Sequence, residues 1–306
     1  MLIHFVHTGN AYLPELHAYV EFIQSTGNHA RVYRELDAVP NDAEVVWWMC
    51  GLVTFQAQRR FPKAFHIHEY ASASIGRLCH FKDIYKRWLQ ATPDYRVFQN
   101  EWVCARLGFR DTVPFEYRDM GVTPQFFPKE TLSRVRDFDC VYSGEMRRLK
   151  YFLPVFEGLA RSGRTVLLIG QLPDVIKDYF DTQSNVTAVG RVSYTEVPQL
   201  LIRASYGLNL VPSQLPYTQQ TSTKLIEYCA AGLKIVSSDY PWVRRFEQQN
   251  EASFYFIPYL NSAKTYSEIF GDALDLQPYR TPKLHNLTWP LILNRMRVWQ
   301  AIGIRD

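Results

Sequence analysis

Residues 221–239 read TSTKLIEYCAAGLKIVSSD, which places a helix start, a buried helix face, a helix stop and a buried strand in one short run. Ser222 and Thr223 both suit an N-cap, and Leu225, Ile226, Cys229 and Ala230 recur at helical spacing. Gly232 stands where a C′ residue ends a helix, and the strand 233–237 follows at once. A short helix that runs straight into a buried strand belongs to an α/β unit, and it constrains the rest of the chain to supply a parallel sheet with helices on its faces.

The chemistry of this run sits at its beginning. The first turn of such a helix leaves several backbone N–H groups pointing outward, with the positive end of the helix dipole behind them, and this is a phosphate site. Lys224 adds a mobile cation there. Glu227, one turn on, can accept hydrogen bonds from a ribose or sugar diol. The same two side chains also suit an i,i+3 ion pair on a surface helix, worth a few tenths of a kcal/mol, and the local sequence accommodates both uses.

The remainder of the chain alternates in the same way. Strands are expected at 2–7, 30–33, 45–49, 64–68, 96–99 and 113–115, with a helix built on Leu13, Leu16, Val20 and Ile23 that stops at Gly27, and further helices at 75–90 and 101–107. The segment DMGVTPQFFP, 119–128, breaks this rhythm with a Gly and two Pro. Beyond it, strands are expected at 140–143, 165–169, 186–189, 207–211 and 254–257, with helices at 151–161, 174–180, 195–204 and 263–274 and a last amphipathic helix at 287–299.

At 306 residues, 47% of them hydrophobic, the chain can bury large cores, and its length suits two domains. A net charge of +4 is too mild to argue for nucleic acid. Cys50, Cys79, Cys104, Cys140 and Cys229 form no CxxC pair and are expected to be reduced, buried thiols of a cytosolic protein. The start, MLIHFVHTGN, turns polar too soon for a signal peptide, and no run approaches the roughly 18 apolar residues of a membrane span. A cytoplasmic protein, at most peripheral on the inner face of a membrane, is the expectation.

HIHEY, 66–70, ends a strand on the side where ligands settle in a doubly wound sheet. Strand alternation puts His66 and His68 on one face and Glu69 on the other, which argues against a shared zinc ion, and no metal site is expected. Within 59–96 the cations Arg59, Arg60, Lys63, Arg77, Lys82, Lys86, Arg87 and Arg96 outnumber the acids, and Phe61, Phe65, Phe81, Tyr85 and Trp88 are interleaved. This composition suits a face that rests on an anionic membrane, and equally a solvated face over a packed core.

Residues 212–239 resemble the donor-site segment of GT-B glycosyltransferases, in the large retaining, family-4-like group (glycosyl transferases group 1), whose loop and helix read P-S/T-K-L/F-x-E-Y-x-A-x-G-x-P-V-V. The resemblance implies that Glu227 holds the ribose hydroxyls and that Ser222, Thr223 and Lys224 meet the diphosphate of a nucleotide-sugar. Many members carry an acid near the donor sugar eight positions earlier; Gln219 stands there in this chain. SGEMRRLK, 143–150, is similar to the G-R-x-x-x-x-K-G of relatives: Gly144 and Lys150 align, Glu145 replaces the usual Arg, and Arg147 or Arg148 is expected to supply the missing cation. By the same resemblance Gly190 and Arg191 of VGRV lie at the nucleobase edge, and Gly9 of HTGN lies under the diphosphate and transferring sugar. His68, followed by Glu69, matches the V-x-x-H-D position of a catalytically important histidine. DFD, 137–139, precedes a strand, unlike the metal-binding DxD of GT-A glycosyltransferases, and is expected to be an interdomain turn.

The fold so implied is α/β: two Rossmann-like, doubly wound parallel-sheet domains facing a central cleft. Residues 1–128 would bind the acceptor, 129–286 the nucleotide-sugar, and a C-terminal helix in 287–306 would pack back on the first domain. The implied activity is sugar transfer to a glycan, lipid-linked or small-molecule acceptor, with retention, without metal, and with no cofactor beyond the UDP- or GDP-sugar donor. A GT-B-shaped sugar-nucleotide epimerase and a catalytically silent partner of another glycosyltransferase are the alternatives.

Overall fold

Two six-stranded sheets, parallel throughout, organise the chain in a computed structural model that describes residues 1–9, 12–49, 51–74, 78–128 and 136–304. The first is built from β1 (Leu2–Val6), β2 (His29–Tyr33), β3 (Val45–Met49), β4 (Phe65–Tyr70), β5 (Tyr95–Phe98) and β6 (Phe115–Tyr117), in the order β2-β1-β3-β4-β5-β6. The second contains β7 (Phe138–Ser143), β8 (Val166–Ile169), β9 (Val186–Ala188), β10 (Ala204–Asn209), β11 (Lys234–Ser238) and β12 (Tyr255–Ile257), in the order β12-β11-β10-β7-β8-β9. All four residues of β8, VLLI, are buried, as a parallel strand covered on both faces requires.

Contacts divide the chain into one unit of Met1–Gly121 with Asn286–Asp306 and a second unit of Val122–His285. The expected boundary near 128 falls beyond this division, and the adjoining residues 129–135 lie outside the described ones.

In the first unit Phe5, Tyr19, Trp47 and Trp299 form one aromatic cluster, with Trp299 ring centroids 6.0 Å from Tyr19 and 5.6 Å from Trp47. Beside it Arg118, fully buried, pairs with Glu69 and lies 3.6 Å from Glu15. Trp47 Nε1 donates to the other Glu69 oxygen at 2.8 Å. Burial pushes the Glu15 carboxyl above its ordinary range.

Two departures from the sequence expectation have identifiable causes. The helix Pro241–Gln249 was not expected; it starts on Pro241 and buries Trp242, Val243 and Phe246. The last amphipathic segment is two short helices, Trp289–Asn294 and Val298–Ala301, because the buried Glu116 carboxylate accepts from Arg297 N at 2.8 Å and Val298 N at 2.9 Å and so caps a second helix start.

Candidate functional site

Ligands of open parallel sheets settle outside the C-terminal ends of the strands where the direction of strand addition reverses. In the second unit the chain leaves β7 for β8 and β9, then returns to β10 on β7's other side, so the reversal lies between β7 and β10. Gly144 follows β7, and the loop after β10 leads into the helix Thr223–Ala230.

Two glycines allow these pieces to meet. A side chain at Gly207, in β10, would sit 2.7 Å from the Tyr228 ring, so its absence lets the helix lie close to the sheet. Tyr228 then reaches across, accepting from Ser143 N at 2.7 Å and donating to Ser143 O at 3.3 Å. Gly144, at φ +136°, is thereby set against Lys224, with its Cβ direction 3.6 Å from Lys224 Cγ.

Ser222 is the N-cap: its Oγ accepts from Leu225 N at 3.3 Å and donates to Asn209 Oδ1 at 2.7 Å. Asn209 is itself held, donating to Ser237 Oγ at 2.8 Å and Tyr240 OH at 3.0 Å. A hydroxyl has one proton to give, and that of Ser222 is committed to Asn209, which leaves the backbone N–H groups of Thr223 and Lys224 as the outward donors of this helix. Glu227, with its side chain 3% exposed, receives Lys224 Nζ at 2.8 Å on one oxygen and Tyr194 OH at 3.1 Å on the other. The ion pair anticipated as a surface feature thus exists, but around a buried carboxylate.

Of the cations in 147–150, Arg148 is the one brought to the loop before this helix, with its guanidinium 4.5 Å from the centre of the Tyr217 ring. Lys150 is exposed, its Nζ lying 5.0 Å over Tyr151. Gln219 accepts from Arg245 Nη2 at 3.0 Å. Gly190 forms a bridge with Gly170 beyond β8 and β9, and Arg191 is exposed beside it.

In the first unit the corresponding reversal lies between β1 and β3. A cavity of about 170 Å³ opens there, lined by Val6, Thr8, Trp48, Leu52, Val53 and Thr54 among others. Gly9 O accepts from Arg34 Nη1 at 2.6 Å, while Asn10 of the HTGN loop is outside the described residues. His68 is wholly buried on β4; Gln90 Nε2 donates to its Nδ1 at 3.0 Å and Tyr70 OH lies 3.3 Å away. That makes Nε2 the protonated nitrogen, and no hydrogen-bond partner meets it. Burial lowers the His68 pKa well below the ordinary histidine value, so the ring is neutral. His66, on the same face, is bonded at both nitrogens, to Trp48 Nε1 at 3.2 Å and Phe61 O at 3.0 Å.

The basic stretch 59–96 is not one surface. Arg96 is buried on Asp111 and Phe109, Arg60 pairs with Asp37, Arg87 Nε donates to Leu107 O at 2.8 Å, and Phe61 is core; Arg77 lies outside the described residues. Among the described residues no group of three or more His, Cys, Asp or Glu is placed to hold a metal ion, and no helix is long and apolar enough to cross a membrane. Sequence reasoning missed Tyr194 and Asn209. A polar residue ending the buried strand ASYGLN marks Asn209, whereas nothing local marks Tyr194 as the partner of Glu227.

Solved structures decide the fold. A glycosyltransferase from Rickettsia africae superposes with a TM-score of 0.66 over 100% of this chain and 99% of its own, at 11% identity. Anabaena HepE in complex with UDP gives a TM-score of 0.65 over 99% of this chain and 100% of its own, at 9% identity. The chain has the GT-B fold. A UDP-GlcNAc 2-epimerase from Methanocaldococcus jannaschii, in complex with UDP-GlcNAc and UDP, matches this GT-B chain with a TM-score of 0.55 over 98% of its length and 100% of the epimerase, at 11% identity. No protein-family model and no curated protein matches the sequence.

Proposed function

We propose that this GT-B chain is a glycosyltransferase that binds a nucleoside diphosphate sugar on its second unit and a glycan, lipid-linked or small-molecule acceptor on its first. The observation that carries the reading is the buried Glu227 carboxylate beside Lys224 at the start of the helix Thr223–Ala230, located at the β7/β10 reversal. A ribose diol donates to Glu227, which retains acceptor capacity beyond its two present partners. The diphosphate takes the Thr223 and Lys224 N–H groups, with Lys224 turning to it from Glu227. Arg148 is the second cation of this arrangement, with Lys150 further out, and Gly144 leaves room for the phosphates.

Gly190 and Arg191 are assigned to the nucleobase edge, and Gln219 with Arg245 to the sugar. In the first unit the cavity beside Trp48 and Leu52 receives the acceptor. His68, whose unmatched N–H is a directional donor, is assigned to that chemistry. The departing nucleotide carries the negative charge that develops in transfer, and preorganised N–H groups and cations stabilise it without a metal. Retention and a cytoplasmic or membrane-peripheral setting complete this reading.

The test is a panel of UDP-, GDP- and ADP-sugars, read first by thermal shift and then by NMR of the product and its anomeric configuration. Binding of one nucleotide with transfer of its sugar supports the proposal; no stabilisation by any of them removes it. The same fold in a UDP-GlcNAc 2-epimerase favours a second reading, distinguished by an altered sugar still attached to nucleotide.

A further inference from the structure

The helix Cys79–Leu89, CHFKDIYKRWL, is built inside out. Its single acid, Asp83, is turned inward, accepting from Ser74 N and Arg106 Nε at 2.9 Å each. Its large apolar residues are turned outward: Phe81 is 69% exposed, Tyr85 64% and Trp88 77%, with Leu78 at the N-cap 61% exposed. Positions 78, 81, 85 and 88 fall on one helical stripe. Lys82 is exposed along the flank of that stripe and Lys86 half-exposed. Val53 N donates to Gln90 Oε1 at 3.2 Å and Ala91 N to Val53 O at 2.8 Å, which fastens the segment bearing the exposed Leu52 and Phe55 to the helix's C-terminal end.

We infer that this helix is a docking face for an anionic lipid bilayer. Tyr and Trp carry an apolar body with a polar tip and settle at the level of lipid headgroups, so three aromatics on one stripe would enter the interface together. Lys82 and Lys86 would then meet anionic headgroups, and with Asp83 turned inward the helix presents no carboxylate to them. A second copy of the chain fits less well, because a two-fold interface sets a patch against itself and would bring Lys82 and Lys86 against their own counterparts. The inference stands on the first unit alone and does not depend on the nucleotide site.

The experiment is flotation of the full chain with phosphatidylcholine vesicles, with and without phosphatidylglycerol, at low and physiological salt. Wild type is expected to float with the anionic vesicles and to be released as salt rises. Lys82→Glu/Lys86→Glu and Phe81→Ser/Tyr85→Ser/Trp88→Ser should each lower the bound fraction at least about tenfold. All five side chains replaced lie outside the core, and unchanged circular dichroism and melting temperature would show that folding is intact. Failure of wild type to float, or equal flotation of the variants, overturns the inference. So does a concentration-dependent dimer that only the aromatic variant disperses, or retention on single-stranded DNA without vesicle binding. Nucleotide thermal shifts on the same samples keep this outcome separate from that of the donor site.

Discussion

Replacing Glu227 with Gln tests the donor site through a ratio. The substitution keeps the side chain's shape and its contact with Tyr194 but removes the charge that a ribose diol would meet. A hydrogen bond to a charged group contributes about 1.5–3 kcal/mol, against about 0.5–1.5 for a neutral one, so the ribose contact should lose about 1–2 kcal/mol. Lys224, bonded to Glu227 at 2.8 Å and with its side chain 32% exposed, is released at the same time. Freeing Lys224 from the buried carboxylate assists any diphosphate. That gain is common to a nucleoside diphosphate and to inorganic pyrophosphate, which has no ribose.

The quotient of the two dissociation constants therefore isolates the ribose contact. Measured by titration calorimetry, Kd(nucleoside diphosphate)/Kd(pyrophosphate) should rise roughly 5- to 30-fold in Glu227→Gln, while pyrophosphate binding stays level or tightens. A quotient unchanged within about twofold would show that Glu227 serves only to hold Lys224 and Tyr194, and would refute the assignment.

Arg148→Ala is expected to weaken nucleoside diphosphate binding more than Lys150→Ala does, by calorimetry on both, because only Arg148 reaches the loop at Tyr217. Arg118→Met should destabilise the first unit by about 3–5 kcal/mol in urea, since it strands the buried Glu69 carboxylate, and adding Glu69→Gln should recover much of the loss. His68 binds no proton in the folded state at pH values where the unfolded chain does, so its contribution is complete above about pH 6.5 and is lost as pH falls from there through its lowered folded value; the melting temperature of wild type should drop more steeply over that window than that of His68→Gln. The same variant, if His68 serves transfer, should lower kcat at least about tenfold with nucleotide affinity unchanged.

What could be read in the sequence was local. The helix Thr223–Ala230 announces itself through Ser222 at its start and Gly232, at φ +73°, just beyond its end, and both signals act within a few residues. The division of the last segment at Arg297 depends on Glu116, a residue 181 positions earlier in the chain, and no periodicity carries that information. The cations of RRLK are a similar case: composition shows that a cation is at hand, but the turn of the six-residue 3₁₀ helix Met146–Tyr151 decides that Arg148 meets Tyr217. For the aromatic residues of 79–89 composition left a membrane-facing and a packed arrangement open, and the structure turns Phe81, Tyr85 and Trp88 out while Asp83 takes the inner side with Arg106 and Ser74.

Trp299 completes the ring cluster of Phe5, Tyr19 and Trp47, although all of Val122–His285 separates it in sequence from the Met1–Gly121 part of its unit. On a ribosome adding about 5–20 residues per second, the strands of the first sheet would wait roughly 10–40 s for that indole. During this interval the slot it fills stays open and apolar, so the second unit, uninterrupted in sequence, is able to finish folding first. The nascent first unit is the portion that a chaperone would have to shelter, and a stop codon before position 289 would strand it even though every strand of both sheets had been made.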